Sequence, residues 1–166
     1  MRRRSLLALN LALASTTSVT QASLAGEPVG RVWTPESIPW QSVAANGTKY
    51  ALLEGRRDIH GGAFTYAFFI PAGVWDTPHW HSSTARVVVL KGALGLGYGD
   101  VLDRSRAQQY GPGTFLEVPG GAKHFDGADI DTIILGVATG PWSTTYLDRS
   151  SPASAGTPVA SPSQKP

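Results

Sequence analysis

Three of the four histidines in this chain lie in two short stretches that could hold one metal ion. His79 and His81 are separated by one residue, and His124 follows the sequence Pro119-Gly120-Gly121. Side chains alternate between the faces of a β-strand, so the first two imidazoles point the same way and can reach one ion at about 2.0–2.1 Å. The Pro-Gly-Gly sequence is typical of a turn that ends one strand and directs the next. The spacing therefore predicts one divalent transition metal (Fe, Mn, Ni, Cu or Zn) on three histidines.

These stretches resemble the two sequence motifs of the cupin superfamily. The first motif is Gly, five residues, His-x-His, three or four residues, Glu, six residues, Gly; the matching positions are Gly73, His79, His81 and Gly92. The second is Gly, five residues, Pro-x-Gly, two residues, His, three residues, Asn; the matching positions are Gly113, Pro119, Gly121 and His124. The resemblance spans residues 60 to 146 and implies a jelly-roll barrel.

Two positions depart from these motifs, because Ala85 stands where the motif has Glu and Ala128 where it has Asn. If one strand runs through residues 81 to 89 without a bulge, Ala85 shares a face with His81 and points at the metal. The resemblance then implies a three-histidine site, as in the acetylacetone-cleaving and thiol dioxygenases of this superfamily. The alternative is a cupin that has lost its metal and kept the barrel.

A metal held by three neutral imidazoles keeps its full positive charge and favours small, chelating, anionic substrates such as enolates, β-diketones and phenolates. The resemblance makes a dioxygenase the leading hypothesis. The motifs contain no general base beyond the ligands, which makes hydrolysis or isomerisation harder to explain. Two alternatives stay open: a non-catalytic cupin that binds a small molecule or a metal, and a metal-dependent isomerase or lyase.

The start of the chain predicts export. Arg2, Arg3 and Arg4 precede a short apolar run from Leu6 to Ala14, and Ser23-Leu24-Ala25 offers a cleavage site. The apolar run is too short to span a bilayer, so residues 1–25 are interpreted as a signal peptide, of the Sec or the twin-arginine type. We therefore expect a periplasmic or secreted protein with no membrane span after cleavage.

Removal of the signal peptide changes the net charge of the chain. The first 25 residues contain three arginines and no acidic residue, so 14 basic residues become 11, against 12 acidic ones. The mature chain is then close to −1, although the whole sequence has a pI of about 9.1. No basic stripe remains, which argues against a nucleic-acid partner. A small molecule is the expected partner, and a homodimer is expected only by analogy with other cupins.

Composition and patterning predict one all-β domain. The 166 residues include 19 glycines and 12 prolines, no cysteine and only 16% charged residues, which suits short strands joined by tight turns. No helical periodicity runs long enough to require a core helix. The strands predicted by alternation and turn residues are Tyr50 to Leu53, Phe64 to Ile70, Arg86 to Leu90, Ala93 to Tyr98, Thr114 to Val118 and Thr132 to Thr139, with Asp126-Gly127 as one of the turns.

These elements divide the mature chain into three parts. Residues 26–48 are predicted to form an N-terminal arm, residues 49–148 the cupin barrel, and residues 149–166 a disordered tail rich in Ser and Pro. The arm is expected to pack through Val32, Trp33, Ile38 and Trp40. The candidates for the barrel lining are Phe64, Tyr66, Phe68, Val87 and Val89, although core packing is the favoured interpretation for most of them; a pocket lined in this way would suit a small, partly apolar ligand. Trp142 and Tyr146 are placed at one end of the barrel.

Three further polar residues need an interpretation. His60 lies outside both motifs and is expected in a turn or on the surface. Glu117 is expected on a solvated strand face rather than as a replacement ligand. Asp76 precedes the histidine pair and is either a partner for an imidazole N–H or a turn residue.

Overall fold

A computed structural model of the chain describes residues 30–147, and in this range all regular structure apart from one short 3₁₀ turn is β-strand. The predicted signal peptide and the predicted tail lie outside the described residues. The strands are β1 (Ser42–Val43), β2 (Lys49–Gly55), β3 (Ala63–Ile70), β4 (His79–His81), β5 (Ala85–Lys91), β6 (Leu94–Tyr98), β7 (Gln108–Tyr110), β8 (Phe115–Val118), β9 (His124–Gly127), β10 (Thr132–Thr139) and β11 (Thr144–Tyr146).

The strands form two antiparallel sheets. The first has six strands in the order β1-β2-β3-β10-β5-β8, and the second has five in the order β11-β4-β9-β6-β7. Consecutive strands of the sequence often lie in different sheets, as β3 and β4 do, so the chain crosses from one sheet to the other repeatedly. This is the jelly-roll arrangement expected from the cupin resemblance.

Period-two alternation places the two faces of the six-stranded sheet in different environments. In β3, Phe64 and Tyr66 face an aromatic cluster on the interior side, while Ala67 packs in a second cluster with Ile38 of the N-terminal segment. A third cluster, which includes Val87 and Leu96, joins the two sheets. The six-stranded sheet is therefore covered on one side by the other sheet and on the other side by residues that precede β1.

Two motif glycines close turns that a larger residue could not. Gly92, between β5 and β6, has φ +80°, and a Cβ there would lie 2.4 Å from the carbonyl oxygen of Asp131. Gly121 has φ +77° in the turn before β9. Only glycine adopts such angles without strain, so the motif glycines direct the strands that carry the histidines.

All six strands predicted from the alternation pattern are present, with ends that differ by two residues or fewer. The predicted turn at Asp126-Gly127 is wrong, because both residues belong to β9 and pair with β6. The arm begins to pack later than predicted: Ile38 is buried and Trp40 contacts the ring of Phe69, whereas Val32 is 83% exposed. Within residues 30–147, the fold contains no helix with the length and apolar character needed to cross a membrane.

Candidate metal centre

Three neighbouring strands bring the histidines together. His79 and His81 lie on β4, and His124 lies on the adjacent strand β9 directly opposite His79. On the other side of β4, β11 places Thr144 opposite His81 and Tyr146 opposite His79. Residues that face each other across an antiparallel pair project from the same side of the sheet. The register therefore directs all five side chains to one face.

The three imidazoles meet as the sequence predicted. Their ligand nitrogens all lie within 4.8 Å of one another, and the ring centroids are separated by 4.3 Å (His79 and His124) and by 5.0 Å for the two other pairs. His79 and His124 are only 2% and 1% exposed. Such a cluster of buried imidazoles has the composition and spacing that a transition metal needs.

Hydrogen bonds to the backbone orient two of the rings. The Nδ1–H of His79 donates to the carbonyl oxygen of Thr77 at 2.8 Å, and that of His124 donates to the carbonyl oxygen of Ala122 at 2.9 Å. A carbonyl oxygen only accepts, so both Nδ1 atoms carry the proton and both Nε2 atoms keep a free lone pair. Nδ1 of His81 lies 3.0 Å from the hydroxyl of Thr144. Partners of this kind around metal-binding histidines select the tautomer and hold the ring.

The surroundings favour the neutral form of two of these imidazoles. Burial, followed by the charges of His79 and His124, lowers the pKa of His81 to about 2. Burial also lowers the pKa of His124, although the nearby Asp126 carboxylate opposes that shift. A neutral imidazole is the form that binds a metal, so the protonation states of His81 and His124 fit a metal site.

One acidic residue that the sequence analysis missed lies beside the cluster. Asp126 projects from β9 two residues after His124, and its Oδ2 is 3.7 Å from Nε2 of both His79 and His124. Two atoms bonded to one ion at about 2.1 Å are at most about 4.2 Å apart, so this carboxylate is close enough to share an ion with either histidine. The signal was the spacing His124-x-Asp126, which repeats the His79-x-His81 spacing on a neighbouring strand.

A second carboxylate lies next to the first. Asp76 precedes β4; its carboxylate accepts a hydrogen bond from the Tyr146 hydroxyl at 3.1 Å, and its backbone N–H donates to the carbonyl oxygen of Asp126 at 2.7 Å. Burial, with the charge of Asp126 as the second cause, raises the pKa of Asp76 to about 6. Asp76 is thus neither the partner of an imidazole N–H nor a turn residue, and its carboxylate is instead hydrogen-bonded to the hydroxyl of Tyr146.

The two motif departures have different surroundings. Ala85 lines the same cavity as the histidines, as the sequence predicted, but the continuous strand assumed for that prediction is wrong: β4 ends at His81 and β5 begins at Ala85 in the other sheet. Ala128, at the position of the motif Asn, is fully buried in the hydrophobic cluster that joins the sheets.

A cavity of about 140 Å³ opens onto the three histidines. One wall is aromatic, and the ring of Trp142 stacks on His81 with centroids 4.4 Å apart and planes inclined by 27°. Tyr146 lines the cavity beside His79. Four of the five candidates for the lining are found there, namely Phe64, Tyr66, Phe68 and Val87. Val89 instead packs fully buried in the hydrophobic cluster between the sheets, which was the alternative interpretation.

The two polar residues that the sequence analysis set aside lie away from this cavity. His60 is exposed in the turn between β2 and β3, as predicted. Glu117 is exposed on β8 and pairs with Arg86 at 3.3 Å. Neither contributes to the cluster, which agrees with the surface positions predicted for both.

Comparison with known proteins identifies the same fold. A family model described as the ChrR cupin-like domain matches residues 29–143. The polyketide cyclase RemF from Streptomyces resistomycificus has a similar structure (TM-score 0.57, 19% identity, covering 72% of this chain and 87% of that one). A cupin superfamily protein from Desulfitobacterium hafniense is also similar (TM-score 0.52, 14% identity, covering 68% and 93%).

A mutant of salicylate 1,2-dioxygenase from Pseudoaminobacter salicylatoxidans gives a TM-score of 0.51 at 13% identity, covering 63% of this chain and 32% of that one. No curated protein sequence matches the chain. At these identities the structural likeness concerns the fold, and it agrees with the two sheets described above.

Proposed function

The chain belongs to the ChrR cupin-like domain family, and from this premise we propose that it is a metal-dependent enzyme that acts on a small, chelating, anionic molecule. His79, His81 and His124 would hold one divalent transition metal. The observation that carries the proposal is the convergence of three buried imidazoles, with their ligand nitrogens within 4.8 Å of one another, at the wall of a cavity.

The reaction that we propose first is dioxygenation of an enolate, a β-diketone or a phenolate. When bound, the metal would supply Lewis acidity and access to O₂ chemistry. Dioxygenation needs no separate reductant, because both oxygen atoms enter the substrate. The residues of the cavity support this chemistry: the carbonyl groups of Thr77 and Ala122 hold two of the rings, and the ring of Trp142 stacks on that of His81.

A specific observation favours a second candidate, proton transfer by an isomerase or lyase. The sequence motifs name no general base beyond the ligands, but the Asp126 carboxylate lies 3.7 Å from two of the imidazoles. Asp76, whose pKa is raised to about 6 by burial and by Asp126, is hydrogen-bonded to Tyr146. A carboxylate with a pKa near neutrality is suited to take up and return a proton. The fold itself does not distinguish dioxygenation from proton transfer, since similar structures include both a cyclase and a dioxygenase.

Metal analysis tests the first part of the proposal. We expect about one divalent metal per chain in the wild-type protein and almost none in His81→Ala or His124→Ala, because two ligands rarely hold such an ion against water. His60→Ala is the matched control, since this exposed histidine lies in a turn away from the cavity, and its metal content should equal that of the wild type. Equal metal content in all four proteins contradicts the site.

Two assays on the metal-loaded protein separate the two reactions. Oxygen uptake with acetylacetone or catechol as the probe indicates dioxygenation. Uptake of solvent deuterium into the carbon skeleton of acetylacetone, without oxygen consumption and faster than the spontaneous exchange in the absence of protein, indicates proton transfer. A metal-loaded protein that does neither contradicts the enzymatic proposal for these substrates and favours the non-catalytic binding protein.

A further inference from the structure

The residues that line the cavity include one arginine that lies outside the two histidine motifs. Arg57, in the turn after β2, lines the cavity together with His81. Its guanidinium carbon lies 5.5 Å from the ring centroid of Tyr50 and 5.9 Å from that of Phe64. These aromatic faces hold the guanidinium by cation–π attraction and leave its N–H groups available.

Arg57 has no acidic partner within residues 30–147. The ion pairs in this part of the chain use other groups, and the neighbouring Arg56 is paired with Asp58 at 2.7 Å outside the cavity. The hydroxyl of Tyr50, which also lines the cavity, is buried without a hydrogen bond of normal geometry; the nearby Arg57 guanidinium opposes the rise in the pKa of Tyr50 that burial causes. A buried hydroxyl without such a bond is costly. A cation without a counter-ion and this hydroxyl beside it together match the needs of an anionic ligand.

A backbone hydrogen bond links Arg57 to Trp142, whose ring stacks on His81. The carbonyl oxygen of Arg57 accepts a hydrogen bond from the backbone N–H of Trp142 at 2.9 Å. The ring of Trp142 stacks on His81 at 4.4 Å and contacts the ring of Phe64 at 5.7 Å. The turn that carries Arg57 is therefore held against the residue whose ring stacks on His81.

The size and the walls of the cavity limit which ligands can contact both Arg57 and the three histidines. Its volume of about 140 Å³ is close to that of an apolar cavity that holds one benzene ring, about 150 Å³. The rings of Phe64, Tyr66 and Trp142 pack with centroids 5.7 to 6.3 Å apart along one wall. These rings are inclined to one another by 33° to 77°, and such an aromatic, apolar wall favours a ligand that contains one ring.

We propose that Arg57, assisted by the hydroxyl of Tyr50, binds the carboxylate of the ligand. The ligand is then a carboxylic acid about the size of one six-membered ring, with its other end at the three histidines. This inference rests on the proposed function for what happens at the histidines. The binding of the carboxylate depends on Arg57 and persists without a metal.

The test compares benzoate with benzamide, which has the same ring and shape but no charge. Binding of each is measured by isothermal titration calorimetry to the purified full chain, before and after treatment with a chelator. We expect the wild type to prefer benzoate, and Arg57→Gln to lose about 10- to 100-fold in benzoate affinity, the range for one hydrogen bond to a charged group. Arg57→Lys should keep part of the preference. Arg56→Gln is the matched control and should keep all of it.

The outcomes distinguish this inference from the proposed function. Equal binding of benzoate and benzamide by the wild type, or no binding of either, overturns the role of Arg57. An equal loss for both probes in Arg57→Gln indicates a purely structural role and also overturns it. Persistence of the benzoate preference after chelator treatment supports the carboxylate site; if the protein binds no metal even when metal is supplied and still prefers benzoate, only the proposed function is contradicted.

Discussion

Replacement of Asp126 with Asn tests whether a carboxylate helps to hold the metal. Asn keeps the shape of the side chain and removes its charge, so the two proteins differ mainly in electrostatics. The Oδ2 atom of Asp126 lies 3.7 Å from Nε2 of both His79 and His124. We expect the variant to bind a divalent metal more weakly than the wild type.

The size of the effect follows from these distances. An ion bonded to either nitrogen at about 2.1 Å would lie no farther than about 5.8 Å from Oδ2. At that distance a divalent ion and a carboxylate attract each other by about 1.4 kcal/mol at the dielectric constant of water, and by about 6 kcal/mol at an effective value of about 20. The side chain of Asp126 is only 25% exposed, so the first value is a lower limit. It corresponds to about a tenfold loss of affinity.

The assay is a competition between the protein and a chelator of known affinity, at low ionic strength and neutral pH. Glu117→Gln is the matched control, because it removes a carboxylate whose side chain is 54% exposed and which pairs with Arg86 instead. A loss above about 100-fold in Asp126→Asn indicates a direct ligand, since partners of ligands typically contribute 10- to 100-fold. If Asp126→Asn and Glu117→Gln retain the metal equally well, the carboxylate has no part in the site.

Three other predictions follow from the same residues. Ala85→Glu adds a carboxylate to the cavity wall and should tighten retention of Mn²⁺ more than of Cu²⁺ in the same competition; faster metal loss from the variant contradicts the interior position of Ala85. The metal-free protein should lose stability as the pH falls below 6.5, because the pKa of His81 is about 2 in the folded chain, so that the unfolded chain takes up the proton first. Between pH 7.5 and pH 5.5, urea titrations should show that the free energy of unfolding falls by about 1.4 kcal/mol more in the wild type than in His81→Gln. An equal fall in both proteins refutes the assignment. We also propose export, so mass spectrometry of the native protein should find Gly26 near its N-terminus outside the cytoplasm; cytoplasmic protein that begins at Met1 refutes this.

Most of the fold could be predicted because its signals are local. Alternation and turn glycines identified β10 at its observed bounds, Thr132–Thr139, and five other strands within two residues. The short strands β7 and β11 were missed, because three residues provide too little alternation to recognise. The turn assigned to Asp126-Gly127 was wrong, because the pairing of β9 with β6 overrides the turn preference of that dipeptide.

The sequence by itself determined that His79 and His81 share a face, because the two-residue period of a strand depends on covalent spacing and backbone geometry, which the sequence carries directly. The glycine turns predicted a change of direction before His124, and the resemblance to the cupin motifs implied that His124 joins the pair. The register that places His124 opposite His79 belongs to the tertiary structure. The period of a strand also placed Ala85 at the cavity, although the strand assumed between His81 and Ala85 is interrupted by a change of sheet.

Only the tertiary structure decided what surrounds those histidines. Asp126, Asp76 and Tyr146 meet through the registers of β4, β9 and β11, whose partners are up to 70 residues apart in the chain. Arg57 lines the cavity from a turn whose backbone carbonyl accepts a hydrogen bond from the N–H of Trp142. Neither sequence period nor motif spacing encodes such contacts, since they arise when two sheets pack and strands distant in sequence become neighbours. The arrangement of charged groups around the cavity is set at that stage.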